Sequence, residues 1–165
     1  MNATLLIDLF GHKRCADAEL AEALAGVDAA AHPEALRAAT RTLNHIHVVD
    51  EIFRAHLGGR PHGYTATNTP DTPALAALAD SMHDSGVWYG RYAEGIPVEA
   101  LHEPIDFHFT DGDAGRMTRL EILLHVLSHG SYHRGAIGQL LRTMGVSPPR
   151  DLFTRHLREH GVATA

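Results

Sequence analysis

Apolar residues recur at helical intervals along most of the chain. Between residues 3 and 25, Leu5, Leu6, Leu9, Ala16, Leu20, Ala23 and Leu24 fall at the spacing of one helical face, and Gly26 supplies a stop. Pro33 suits the first turn of a second helix, which runs to about Leu57 before Gly58 and Gly59 close it. Residues 60–72, RPHGYTATNTPDT, are polar and rich in turn formers, so they read as a loop. Thr72 as N-cap and Pro73 at the first helical position predict a third helix reaching about Ala93. The period then changes. PIDFHF at 104–109 alternates apolar with polar and is followed by the turn-rich TDGDAG, which predicts a short strand or hairpin. Thr118 and Glu121 form a capping-box signature ahead of an apolar run, opening a fourth helix over about 118–144 that Gly145 ends. Residues 151–160 suit a short last helix. Four long amphipathic helices predict an all-α protein: a single four-helix-bundle domain over 1–165, with a short strand or hairpin before the fourth long helix and a short C-terminal helix.

Chemistry enters through the fourth helix, LLHVLSHGSYHRGAIGQLL, where His125, His129 and His133 are four residues apart. At about 100° per residue, His125 and His133 lie about 40° either side of His129, and Ile122, Ala136 and Leu140 share the sector. The histidines therefore lie on the apolar stripe. A single core histidine is ordinarily satisfied by one hydrogen bond. Two adjacent imidazoles each need a partner or must stay uncharged, and one divalent cation meets both needs. The same spacing occurs in the helical zinc motif H-E-x-x-H, although residue 130 is glycine here and the glutamate is missing. In TLNHIHVVDEIF of the second helix, His45 shares a sector with Ala38, Val49, Ile52 and His56, while His47 points roughly opposite, toward water. Two helices can thus bring His45, His129 and His133 to one ion. Three protein ligands with an open fourth position is the pattern of catalytic sites. Asp50, about 140° from His45, is no fourth ligand.

Composition narrows the partners. The 14 histidines equal the combined Lys+Arg count of 14, and the net charge of −6 removes the basic footprint of a nucleic-acid binder. No apolar run approaches the roughly 18 residues of a membrane span. The N-terminus lacks the features of a signal peptide, and a lone Cys15 rules out a disulfide within the chain. The prediction is a cytoplasmic protein with neither membrane nor nucleic acid as partner. Imidazole ligands alone admit zinc, nickel, copper, iron or cobalt.

TLNHIHVVDEIFRAHLGG, LLHVLSHGSYHRGAIGQLLRTMGVSPPRDL and the opening DLFGHKRCADAEL resemble the DinB-like family, the damage-inducible DinB/YfiT-type metalloenzymes, over roughly residues 5–153. The resemblance implies a four-helix bundle whose metal ligands, carried over by motif, are His45 of LNHI and His129 and His133 of SHGSYHRG. It assigns His125 to the core or to support of the ligands. It implies zinc or nickel as the divalent transition metal and a homodimer. For some relatives it implies a thiol-dependent transferase or isomerase reaction between a low-molecular-weight thiol and a small electrophilic substrate. Cys15 stands where related sequences often carry tryptophan, and Ala136 where they carry glutamine; both bear on the substrate and neither touches a ligand. Two alternatives stay open. A metal-dependent hydrolase lacks an evident general base. A non-catalytic, stress-related metal-binding protein would close its shell with a fourth ligand.

The remaining candidates are weighed from helix geometry. His12 and Lys13 read as a partly exposed pair with stems on the core, bordering the metal's open side together with Cys15. Arg134 points away from the ligands, toward a carboxylate on another element. Tyr132 packs at a helix seam. His62, His83, His102, His108, His156 and His160 read as surface or loop residues.

Overall fold

The computed structural model describes residues 3–160. There are four long helices, α1 (Ala3–Ala25), α2 (Pro33–Leu57), α3 (Leu75–Gly95) and α4 (Arg119–Thr143), and between α3 and α4 lie a 3-10 turn (Glu99–His102) and a hairpin of β1 (Pro104–His108) and β2 (Ala114–Thr118). A short α5 (Phe153–His160) follows. The hairpin is antiparallel, with Pro104 opposite Thr118 and Phe107 opposite Gly115. The capping box forms as expected: Thr118 Oγ1 accepts from the Glu121 N–H at 3.2 Å and the Glu121 carboxylate accepts from the Thr118 N–H at 2.7 Å. No helix among the described residues is long and apolar enough to cross a membrane.

One boundary differs from expectation. The N-cap of α3 is Ala74, with no side-chain cap, so Thr72 and Pro73 precede the helix. The cause is tertiary. Arg41 of α2 donates to the carbonyls of Thr69 and Pro70, which ties the segment just ahead of Thr72 to α2.

In the bundle, α1 packs against α3 and α4, and α2 packs against the same two helices, so α1 and α2 occupy opposite corners. The core is divided. One apolar cluster includes Leu6, Phe10, Phe53, Tyr89, Ile122 and Val126; the other includes Leu24, Leu43, Ile46, Leu78, Ile137 and Leu141. Between them lies a charged layer. Lys13 of α1 donates to Asp17 at 2.7 Å and, across the diagonal, to Asp50 of α2 at 2.5 Å. Arg134 of α4 donates to Asp17 at 3.0 Å and to Asp151 at 2.7 Å. Tyr89 of α3 donates to the Asp50 carbonyl at 2.7 Å. All four long helices therefore meet in this layer.

The layer corrects two sequence expectations. Lys13 is buried rather than partly exposed, because two carboxylates receive its ammonium. His12 turns instead to Asp151, an ion-pair contact at 2.9 Å. Arg134 pairs with carboxylates on other elements as expected. Burial alone would lower the Lys13 pKa, but Asp17 and Asp50 outweigh it and raise the value. Burial pushes the Asp50 carboxyl up to about 7 against the pull of Lys13.

The buried stripe of α4 also differs. It runs through Ile122, Leu123, Val126, Gly130, Arg134, Ile137, Gly138 and Leu141. The three histidines are half-buried along its flank, and Ala136, like Ala38 on α2, is exposed. The stripe turns because the charged layer needs room. A methyl at position 130 would lie 3.1 Å from Arg134 Nη1 and 3.2 Å from Lys13 Cε. Glycine there lets both cations pass beneath α4 and leaves its outer flank to the histidines.

Candidate metal centre

Helix α2 supplies His45, and α4 supplies His129 and His133 one turn apart. A nitrogen from each ring lies within 4.8 Å of the others, and among the described residues no cysteine or carboxylate joins the group. Ring centroids are 4.8 Å apart for His45–His129, 4.6 Å for His45–His133 and 4.5 Å for His129–His133. The Nε2 atoms of His129 and His45 are 3.0 Å apart.

Orientation comes from the loop after α2. His45 Nδ1 lies 2.6 Å from the Thr67 carbonyl. A carbonyl only accepts, so Nδ1 carries the proton and Nε2 keeps the lone pair, turned toward His129. The loop is itself pinned: buried Asn44 donates to Asn68 and, at 2.7 Å, to Thr69 Oγ1, while Asn68 donates to the Arg41 carbonyl at 3.2 Å. A backbone acceptor behind a ligand nitrogen is the usual support of a metal-binding histidine. The donor set suits a borderline divalent cation.

On α4 the surroundings of His129 and His133 disfavour the charged imidazole. Burial, then the His133 and His45 rings, push the His129 imidazole down to about 3. Burial and His45 lower His133 in the same direction. His129 Nδ1 is enclosed, with no hydrogen-bond partner among the described residues.

Beside the group lies a cavity of about 170 Å³ walled by Val49, Ile52, Phe53, Phe107 and Phe109, with His45, His56, His125 and His129 at its edges. His125 stacks near His129 at 5.5 Å and meets Phe53 at 4.9 Å, so it forms part of the wall as its assignment to the core implied. The cavity is formed by α2, α4 and the hairpin. The expectation that α1 borders it through His12, Lys13 and Cys15 is corrected. His12 and Cys15 line a different cavity, against α5, with Glu19, Arg155 and His156. Lys13 is drawn beneath α4.

Other placements are corrected too. His47 is half-buried rather than directed to water, with Nδ1 enclosed and unpartnered. His156 is buried against α1, where its ring would touch a methyl added at Gly11. Tyr132 is exposed rather than packed at a seam. Sequence reasoning missed Asn44, Thr67, Phe107 and Phe109. Asn44 stood beside His45 in LNHI; the hairpin residues gave no local signal because only folding sets them against α2 and α4.

A pH prediction follows. Burial lowers His47, His56, His125, His129, His133 and His156. A lowered folded pKa means stability present above the unfolded value near 6.5 and lost as pH falls through the folded one. Asp50, raised, acts oppositely: its contribution is lost as pH rises toward about 7. Six groups outweigh one. The metal-free protein should lose stability from pH 7 to pH 5, by up to about 1.4 kcal/mol per pH unit for each proton taken up on unfolding. Urea midpoints at the two pH values measure this; an equal or higher midpoint at pH 5 would show the histidines are charged in the fold.

The family model described as the DinB family matches residues 1–161 of the chain. No curated protein matches it.

Proposed function

The chain belongs to the DinB family, and on that premise we propose that His45, His129 and His133 bind one divalent transition metal, zinc or nickel, in a site that serves a thiol-dependent transferase or isomerase reaction. The observation that carries the reading is the open side: three imidazoles converge with no fourth protein ligand among the described residues, next to a cavity. When bound, the cation supplies Lewis acidity and favours the deprotonated form of a thiol at its open position. The chain's own residues do the rest. Thr67 and Asn44 fix His45, the charged layer holds α4 against α1 and α2, and Phe53, Phe107 and the exposed Phe109 give the neighbouring space apolar walls.

Cobalt-substituted protein tests this. A low-molecular-weight thiol should produce an intense near-ultraviolet charge-transfer band that water does not. An unchanged spectrum over a saturating range of thiol would overturn the thiol reading.

One observation favours a second reading, metal-dependent hydrolysis. His56 and His125 line the cavity, and burial lowers both, so each is a neutral imidazole able to take a proton from water. Metal-dependent ester hydrolysis that is lost in His56→Gln would select it.

A further inference from the structure

We propose that the substrate of this site carries a benzene-sized apolar group with one hydrogen-bonding substituent, lodged in the cavity beside the histidines while its reacting end meets His45 and His129. The inference rests on the metal reading, since it names what that site acts upon. An enclosed apolar cavity of about 150 Å³ holds benzene; this cavity, open on one side, offers about 170 Å³, room for a group of that size whose other end projects outward.

Val49, Ile52, Phe53, Phe107 and Phe109 present carbon, and the rings touch one another: Phe53 meets Phe107 edge-on at 5.7 Å and Phe107 meets the exposed Phe109 at 5.0 Å. Among the described residues no lysine or arginine lines the space, so a carboxylate or phosphate buried there would lack a counter-charge. An apolar ring loses nothing by entering.

Polar residues also border the cavity, Thr67 and Thr110 beside the histidines, and among them His56 has an unmet need. His56 stacks on Phe107 at 4.7 Å, and its Nε2 is buried with no hydrogen-bond partner. A buried ring nitrogen without a partner is costly; the ring borders the cavity, and its rotation would bring that nitrogen to a hydroxyl, amide or carbonyl on the apolar group. Phenol-like groups thus match the cavity better than toluene-like ones, and both match better than benzoate.

The hairpin sets the size limit. A methyl at Gly115 would fall 2.6 Å and 2.7 Å from Phe107 ring atoms and 2.9 Å from Phe109. Those rings can lie where they do only because residue 115 has no side chain.

The experiment titrates the full-length protein, zinc-loaded and zinc-free, with phenol, toluene and benzoate, following ligand saturation transfer and the protein's aromatic resonances. Saturable binding is expected in the order phenol, toluene, benzoate. Ile52→Trp, which fills the cavity, should weaken phenol by about tenfold or more. Gly115→Ala, which forces Phe107 and Phe109 to move, serves as the second variant should the larger side chain prevent folding. His133 lies outside the cavity wall, so His133→Ala should lose zinc and keep phenol. Absence of saturable phenol and toluene binding, or binding unchanged in both cavity variants, would overturn the proposal. Zinc binding without phenol binding removes the cavity assignment alone. Phenol binding without zinc binding removes the metal reading alone and leaves the cavity assignment standing.

Discussion

His129→Ala should lower zinc affinity by more than about 100-fold. The bound rests on comparison: loss of a residue that merely supports a ligand typically costs about 10–100-fold, and His129 is positioned as a ligand between His45 and His133. Asn44→Ala provides the contrast. It removes no imidazole but frees the loop whose Thr67 carbonyl orients His45, so its effect belongs in the 10–100-fold range. Competition against a chromophoric chelator measures both. Equal, small losses in the two variants would mean that the three rings hold no ion.

Lys13→Ala should cost about 3–5 kcal/mol of stability, because it leaves Asp17 and Asp50 buried without the ammonium that joins them. For a chain of this length each kcal/mol moves the melting midpoint by about 2–4 °C, so a drop of roughly 6–20 °C is expected in the metal-free protein. The sign of its pH dependence is also fixed. Burial already raises Asp50 to about 7 against the opposing pull of Lys13. Without Lys13 the carboxyl rises further. A raised acid contributes stability below its unfolded pKa and loses it as pH rises through the folded one. The gap between variant and parent should therefore narrow from pH 8 to pH 5. A melting shift of under about 2 °C, or a gap that widens in acid, would show that the layer does not depend on this cation.

The helices were legible because each carries its own periodicity and stop signals, and Thr118 with Glu121 announces α4 outright. The three histidines were legible for the same reason: a rotation of about 100° per residue places His45, His129 and His133 without knowledge of any neighbour. What failed needed tertiary knowledge. Lys13 and Asp50 belong to opposite corners of the bundle, and nothing local tells a lysine that two carboxylates await it. Arg134 was correctly paired, yet its burial displaced the apolar stripe and moved the histidines from the stripe's centre to its flank. The pocket was assigned to α1 because α1 follows the same helical rules as its neighbours; the hairpin that takes its place is joined to the site only by folding.

That hairpin separates two roles along the chain. Residues 104–118 carry Phe107, Phe109 and Gly115 yet contribute no ring to the three-histidine group and no member of the buried charge layer. The helices hold the imidazoles and the charges, while a 15-residue β-ribbon supplies the outer wall of the chamber. Selectivity can therefore drift by exchange of that ribbon alone, with ring size at 107 and 109 and the missing side chain at 115 as its adjustable parts. A lineage that altered those three positions would change what enters the site while inheriting the same imidazole geometry.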